Sequence, residues 1–207
     1  MKNKNTALEI RIYGADGGVE TFTQQEDALA ENILKDILPA RLFTSDKIVI
    51  AGDFSLTAFV PARLSRIDFI KEGVACWAFP AGIVDAIELS EKEFRAQAHL
   101  DDPEHLEKRE QARVSGEFAV GFVDIEMTGG LHVFLGVEFV VGLPVERLQR
   151  INLLLSAPSV HFRMRKGGIA ALNLANLVRF TLYPGPAHAP ADAWPAHHKP
   201  LEMDGGS

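Results

Sequence analysis

The chain has very little sulfur chemistry: of 207 residues one is cysteine, Cys76. An intramolecular disulfide is excluded, which suits a reducing compartment. Cys76 lies between Ala75 and Trp77 in an apolar run, so a core thiol is expected rather than a nucleophile. Long hydrophobic runs are also missing. The longest apolar stretches, 73–84 and 133–145, fall short of the roughly 20 residues a spanning helix needs, and the second contains Glu138. The first residues, Met1-Lys2-Asn3-Lys4-Asn5-Thr6, lead into Leu8-Glu9-Ile10-Arg11 without the apolar core of a signal peptide. A cytoplasmic location and no membrane partner are expected. A net charge of −7 leaves too few cations for general nucleic-acid binding.

Local catalytic signatures are absent as well. There is no P-loop, no Gly-x-Gly-x-x-Gly, no HExxH and no paired-cysteine motif. Asp53-Phe54-Ser55 after Gly52 lacks the second glycine of a serine nucleophile elbow and lies between two strand-like segments. No cofactor or catalytic residue is expected. These absences remove the enzyme classes with reliable local signatures, though catalytic groups can converge from distant positions, and the reading leans away from an enzyme.

What is present is strand periodicity. Leu8, Ile10 and Ile12 alternate with Glu9 and Arg11, and Asp16-Gly17-Gly18 is a strong turn signal before a return strand at 19–22. Thr23 and Glu26 have the spacing of a capping box, opening a helix that carries Leu29, Ile33, Leu34 and Ile37. Strands are expected at 47–51, 56–60 and 64–70. Segments 74–79 and 83–89 read as two more. Ser90 and Glu93 form a second capping box, and Asp102 with Pro103 suits the start of a further helix. A longer hairpin, 117–127 with 131–139, then precedes a helix from Pro144 that carries Leu148, Ile151 and Leu155. Strands at 160–165, 169–174 and 177–183 close the pattern.

The second half thus reads on the plan of the first. Gly17, Gly18 and Phe22 match Gly129, Gly130 and Phe134. Ala58, Ala62, Leu64 and Arg66 match Ala171, Ala175, Leu177 and Arg179 in one register. The expected fold is α+β: an antiparallel sheet built from two pseudo-repeated ββαββ units, with an acidic helical insert between them. The boundaries are 1–72 for the first unit, 73–115 for the connecting strands and insert, and 116–183 for the second unit. Prolines 184, 186, 190, 195 and 200 punctuate the remainder, 184–207, which is expected to be an extended or disordered tail.

Charge is unevenly spread. Residues 84–126 hold 12 acidic and 5 basic side chains, a net of −7; residues 143–183 hold 1 acidic and 6 basic, a net of +5. His161, Arg163 and Arg165 alternate along one strand, Lys166 sits at the following turn, and Arg179 is expected on a neighbouring strand. These five are the candidate ligand-binding residues, for a phosphate, a carboxylate or another small anion. The alternative is an ordinary solvated face met by the acidic insert. His99, Asp101, Asp102, Glu104 and His105 include metal-ligand types, but capping explains them better and no metal is expected. Tail residues His188, His197, His198 and Trp194 carry no defined site.

Two functions remain. The first is a non-enzymatic interaction or regulatory module that self-associates, because Val133, Leu135 and Val137 alternate with Phe134 and Gly136 and leave both strand faces apolar. The second is a binder of, or enzyme acting on, a small anion at the basic face. A concave pocket with converging polar groups separates the second from the first.

Overall fold

The fold is that of a computed structural model, which describes residues 7–74, 77–100, 102, 104, 105, 108, 113–185, 193, 194 and 196. Content is mixed α and β, with one large sheet and few helices. The first hairpin joins β1 (Leu8–Gly14) to β2 (Val19–Gln24). Helix α1 (Asp27–Asp36) follows, then β3 (Ile48–Ala51), β4 (Leu56–Phe59) and β5 (Leu64–Ile70). Next come β6 (Ile83–Leu89) and α2 (Glu91–Ala98). The long hairpin is β7 (Phe118–Met127) and β8 (Leu131–Val140), followed by α3 (Pro144–Ser156), β9 (Ser159–Arg163), β10 (Ile169–Asn173) and β11 (Leu177–Tyr183).

Among the described residues nine strands form one sheet in the order β11-β7-β8-β6-β9-β10-β5-β1-β2, antiparallel except at the β6–β9 junction. Strands β3 and β4 form a separate two-stranded sheet. The two halves therefore place their second hairpins differently: β9–β10 sits inside the main sheet, whereas β3–β4 stands outside it. Segment 77–79, expected to be a strand, has no regular structure, because Trp77 and Phe79 are used as packing pieces against His161.

The halves meet at their turns. The tip of the β1–β2 hairpin lies against the tip of the β7–β8 hairpin so closely that a Cβ on Gly129 would stand 2.7 Å from the Ala15 carbonyl oxygen. Gly129 also has a φ of +86°, which only glycine adopts cheaply. A single 3-10 turn at Pro61–Arg63 lies beside another at Leu174–Asn176. Asn173 and Asn176 donate from Nδ2 to the carbonyls of that first turn and of Leu64.

Three apolar clusters hold the sheet. One packs Ile125, Met127, Val133, Phe162 and Leu172. A second packs Leu8, Ile12, Ile67 and Phe69 with α1. The third places Phe94 of α2 on Phe122 and Phe134, with ring centroids 6.0 and 4.9 Å away. Helix α2 starts as its sequence dictates. The Ser90 Oγ accepts from the Glu93 backbone N–H at 3.3 Å, and Glu93 accepts from the Ser90 N–H at 3.0 Å. The Ser90 hydroxyl also donates to the Glu93 carboxylate at 2.7 Å, and this bond first, then the one from the Ser90 N–H, holds the Glu93 carboxyl below the usual range. The Thr23–Glu26 pair does not cap α1. Thr23 is the fifth residue of β2, paired to Glu9, and the helix N-cap is Glu26.

The two apolar faces of β8 are both addressed within the chain. Phe134 packs under Phe94, while Val133 and Leu135 enter the first core. The feature that motivated self-association through this strand is thereby accounted for. Among the described residues, no helix is long and apolar enough to cross a membrane.

Candidate functional site

The five candidate cations are not one constellation. Arg179 is on β11, at one end of the sheet, and four strand spacings separate it from Arg163 on β9. Each arginine has its own carboxylates. Arg163 Nε donates to Asp85 Oδ1 at 2.8 Å, with a second close bond from Nη2 to Oδ2. Arg165 pairs with Glu93 at 2.8 Å. Arg179 reaches Glu126 at 3.2 Å and Asp124 at 3.3 Å. Lys166 is exposed at the β9–β10 turn. All four carboxylates belong to the acidic segment 84–126, so the charge asymmetry of the sequence closes on itself inside one molecule.

His161 behaves differently. Strand β9 carries it inward, where Phe79 stacks on the ring at 5.0 Å and Trp77 meets it edge-on at 5.5 Å. Burial pushes its pKa below 6.5, against a smaller pull upward from the backbone at Trp77 and Ala78. The ring is neutral at neutral pH, and its buried Nε2 has no hydrogen-bond partner among the described residues.

His161 lines a pocket of about 390 Å³ between α3 and the face of β6, β7, β8 and β11. That volume is within the range of small-molecule sites. The floor is apolar, with Val123, Ile125, Leu135, Val137 and Phe180 on the strands and Ile151 and Leu154 on the helix. Small residues open the space. Ala86 and Gly121 stand where larger side chains would fill it, and a Cβ on Gly121 would already meet Phe139 at 3.2 Å. The odd-numbered face of β8 that begins in the core at Val133 therefore ends in this cavity at Val137 and Phe139.

Two guanidinium groups border the apolar floor. Arg113 lies over the Phe139 ring at 5.2 Å. Arg150, on α3, donates from Nη1 to the Val140 carbonyl at 2.7 Å. Gly82 makes room for it: a Cβ there would stand 2.5 Å from Arg150 Cζ, and the φ of +88° also requires glycine. Among the described residues Arg150 has no carboxylate partner. Ser159 also borders the pocket, but its hydroxyl is committed to the Pro39 carbonyl at 2.9 Å.

Sequence reasoning found His161 and missed Arg150 and Gly82. Arg150 falls on a helix otherwise read for Leu148, Ile151 and Leu155. No local pattern announces that a helical arginine will lie on a glycine 68 positions earlier in the chain. Of the histidine and acid group at 99–105, Asp102 accepts at Oδ1 from the His105 N–H at 3.0 Å, as a cap does, while Asp101 is outside the described residues. Cys76 is also outside them, as are His188, His197 and His198.

No protein-family model matches this chain, and comparison with curated proteins and with solved structures returned no match.

Proposed function

We propose that this protein binds a small amphipathic acid, its apolar body in the α3 pocket and its anionic group on Arg150. The observation that carries the reading is Arg150, an arginine without a carboxylate partner among the described residues, at the border of a cavity with an apolar floor. A guanidinium offers five N–H donors in a fork that fits a carboxylate or phosphate. One of them is engaged by Val140. Arg163, Arg165 and Arg179 are poorer anchors, since an incoming anion must first displace Asp85, Glu93, Asp124 or Glu126. The proposed site thus keeps His161 of the original basic strand and takes its anion contact from the helix opposite.

The role proposed is binding rather than turnover. Among the described residues, the one serine on the lining, Ser159, gives its hydroxyl to the Pro39 carbonyl instead of to His161. An internal duplication remains part of this reading. It is supported by the two 3-10 turns, in which Ala62 and Ala175 hold the same central place before Leu64 and Leu177.

Isothermal titration with octanoate, dodecanoate and hexadecanoate, each beside its uncharged alcohol, tests the proposal. The acids are expected to bind with affinity rising with chain length over at least part of the series. Arg150→Met should reduce acid binding about tenfold or more, by roughly the worth of a charge-assisted contact, and leave the alcohols unaffected. Ala157→Trp, which intrudes on the cavity, should weaken both. Binding indifferent to Ala157→Trp, or no binding by any acid, overturns the assignment.

A further inference from the structure

The two-stranded sheet β3–β4 has a surface that the pocket reading does not use. One of its faces, with Ile48, Ile50 and Phe59, packs on the second core cluster. The other carries Val49, Ala51, Leu56 and Ala58, all exposed and none polar; Val49 is 54 % and Leu56 73 % exposed. Phe54 projects fully from the turn. Neither strand has a further neighbour among the described residues.

The hydrogen-bond phase of the hairpin says which groups are free. The Gly52 N–H donates to the Ser55 carbonyl at 2.8 Å, which makes Gly52 and Ser55 a bonded pair. Bonded and non-bonded pairs alternate in an antiparallel ladder, so Ile50–Thr57 and Ile48–Phe59 are the next bonded pairs. Val49 and Ala51 consequently direct their N–H and C=O away from β4, along an open edge. No charged residue lies between Lys47 and Asp53 to protect that edge.

We infer that β3 pairs antiparallel with β3 of a second copy of this chain, about a two-fold axis through Ile50. In that register Val49 faces Ala51 of the second copy, and the outward groups of each strand meet their complements. Continued past the ends of β3, the register brings Lys47 opposite Asp53 at the β3–β4 turn of the second copy, twice per dimer. Among the described residues neither makes an ion pair within its own chain. This charge complementarity selects the occupant: the edge is its own partner, as an isologous contact requires. It also selects the strand. The β4 edge runs into Pro61 and its 3-10 turn, which ends a ladder, and a self-pairing about Thr57 opposes Asp53 to that proline. The register, the free backbone groups and the paired charges agree only on the β3 edge.

Sedimentation velocity of the full chain over a concentration series tests the inference. The wild type is expected to show a reversible dimer. Lys47→Asp and Asp53→Lys each set like charges opposite one another at two places, and each should raise the dimer dissociation constant about tenfold or more. Both positions are exposed, so the fold, checked by circular dichroism, should be unchanged. The double variant Lys47→Asp with Asp53→Lys should recover the wild-type constant. A wild type that is monomeric at every concentration overturns the inference. So does a dimer indifferent to either single change, or a double variant no stronger than the singles. None of these outcomes depends on fatty-acid binding, so the pocket and the edge stand or fall separately.

Discussion

Arg66 and Arg179 hold the same place in two strands: each is the third residue of its strand, two after a leucine that follows a 3-10 turn. Each is bonded to two carboxylates. Their surroundings differ. Arg66 is 5 % exposed and lies between the rings of Tyr13 and Phe162, each centroid 5.4 Å from its guanidinium carbon. It donates to Asp68 at 2.5 Å and to Glu88 at 2.6 Å, and Tyr13 donates its hydroxyl to Asp68 at 3.0 Å. The Arg179 side chain is about half exposed. Strand β5 lies inside the sheet between β1 and β10, and residues 64–69 are buried on both faces; among the described residues β11 is an edge strand with one neighbour. The arginine pattern is shared, and the position in the sheet decides its energetic weight.

The largest effect expected follows from this. Arg66→Met leaves Asp68 and Glu88 facing each other in a buried site, at a cost of about 3–5 kcal/mol. For a domain of this size that is a loss of roughly 6–20 °C in melting temperature. Arg179→Met should cost about 1 kcal/mol or less, as exposed pairs do. Equal losses at the two positions would break the comparison.

A double substitution sharpens it. Burial raises the Asp68 pKa, offset by the pull of Arg66; burial also opposes the Arg66 charge, but Asp68 and Glu88 more than restore it. The ions therefore sustain one another against a desolvation cost. Arg66→Met with Asp68→Leu should be more stable than Arg66→Met alone, with a coupling of about 1–3 kcal/mol by chemical denaturation. Additive losses would mean that the cluster is not one unit.

The same contrast explains what the sequence disclosed. The sequence locates β1, β5, β7, β8 and β11 to within a residue or two: period-two alternation marks the half-buried β1, while β5, buried on both faces, is marked by Pro61 before it instead. The Ser90–Glu93 box locates α2. The signal fails where spatial neighbours decide. Thr23 and Glu26 have cap spacing, yet Thr23 is taken up by the ladder with β1. Ile48 to Ala51 reads as strand, but nothing in it says that its hairpin stays outside the main sheet. Arg163 and Arg179 look like one basic face, yet three strands come between theirs in the sheet order, and each is supplied with acids from the 84–126 segment. Of the candidate site, the alternation carried His161 but not the helix that faces it, because Arg150 and Gly82 meet only after α3 has packed.

The smallest effect expected contrasts His161 with Arg163, two residues further along β9. Burial against Trp77 and Phe79 holds the His161 pKa below 6.5. Above 6.5 the ring is neutral in both the folded and unfolded chain, and its full contribution to stability is present. Below 6.5 the unfolded chain takes up a proton that the folded ring resists, so stability is lost as pH falls toward the depressed folded value. Thermal unfolding between pH 7 and pH 5 should therefore show a falling melting temperature that flattens in part in His161→Phe. Arg163→Met, which removes an exposed pair with Asp85, should leave the slope over that interval unchanged. Parallel curves for wild type and His161→Phe would show that the ring is solvated rather than held in the apolar wall of the pocket. They would also remove the one titratable group that the basic strand contributes to that cavity.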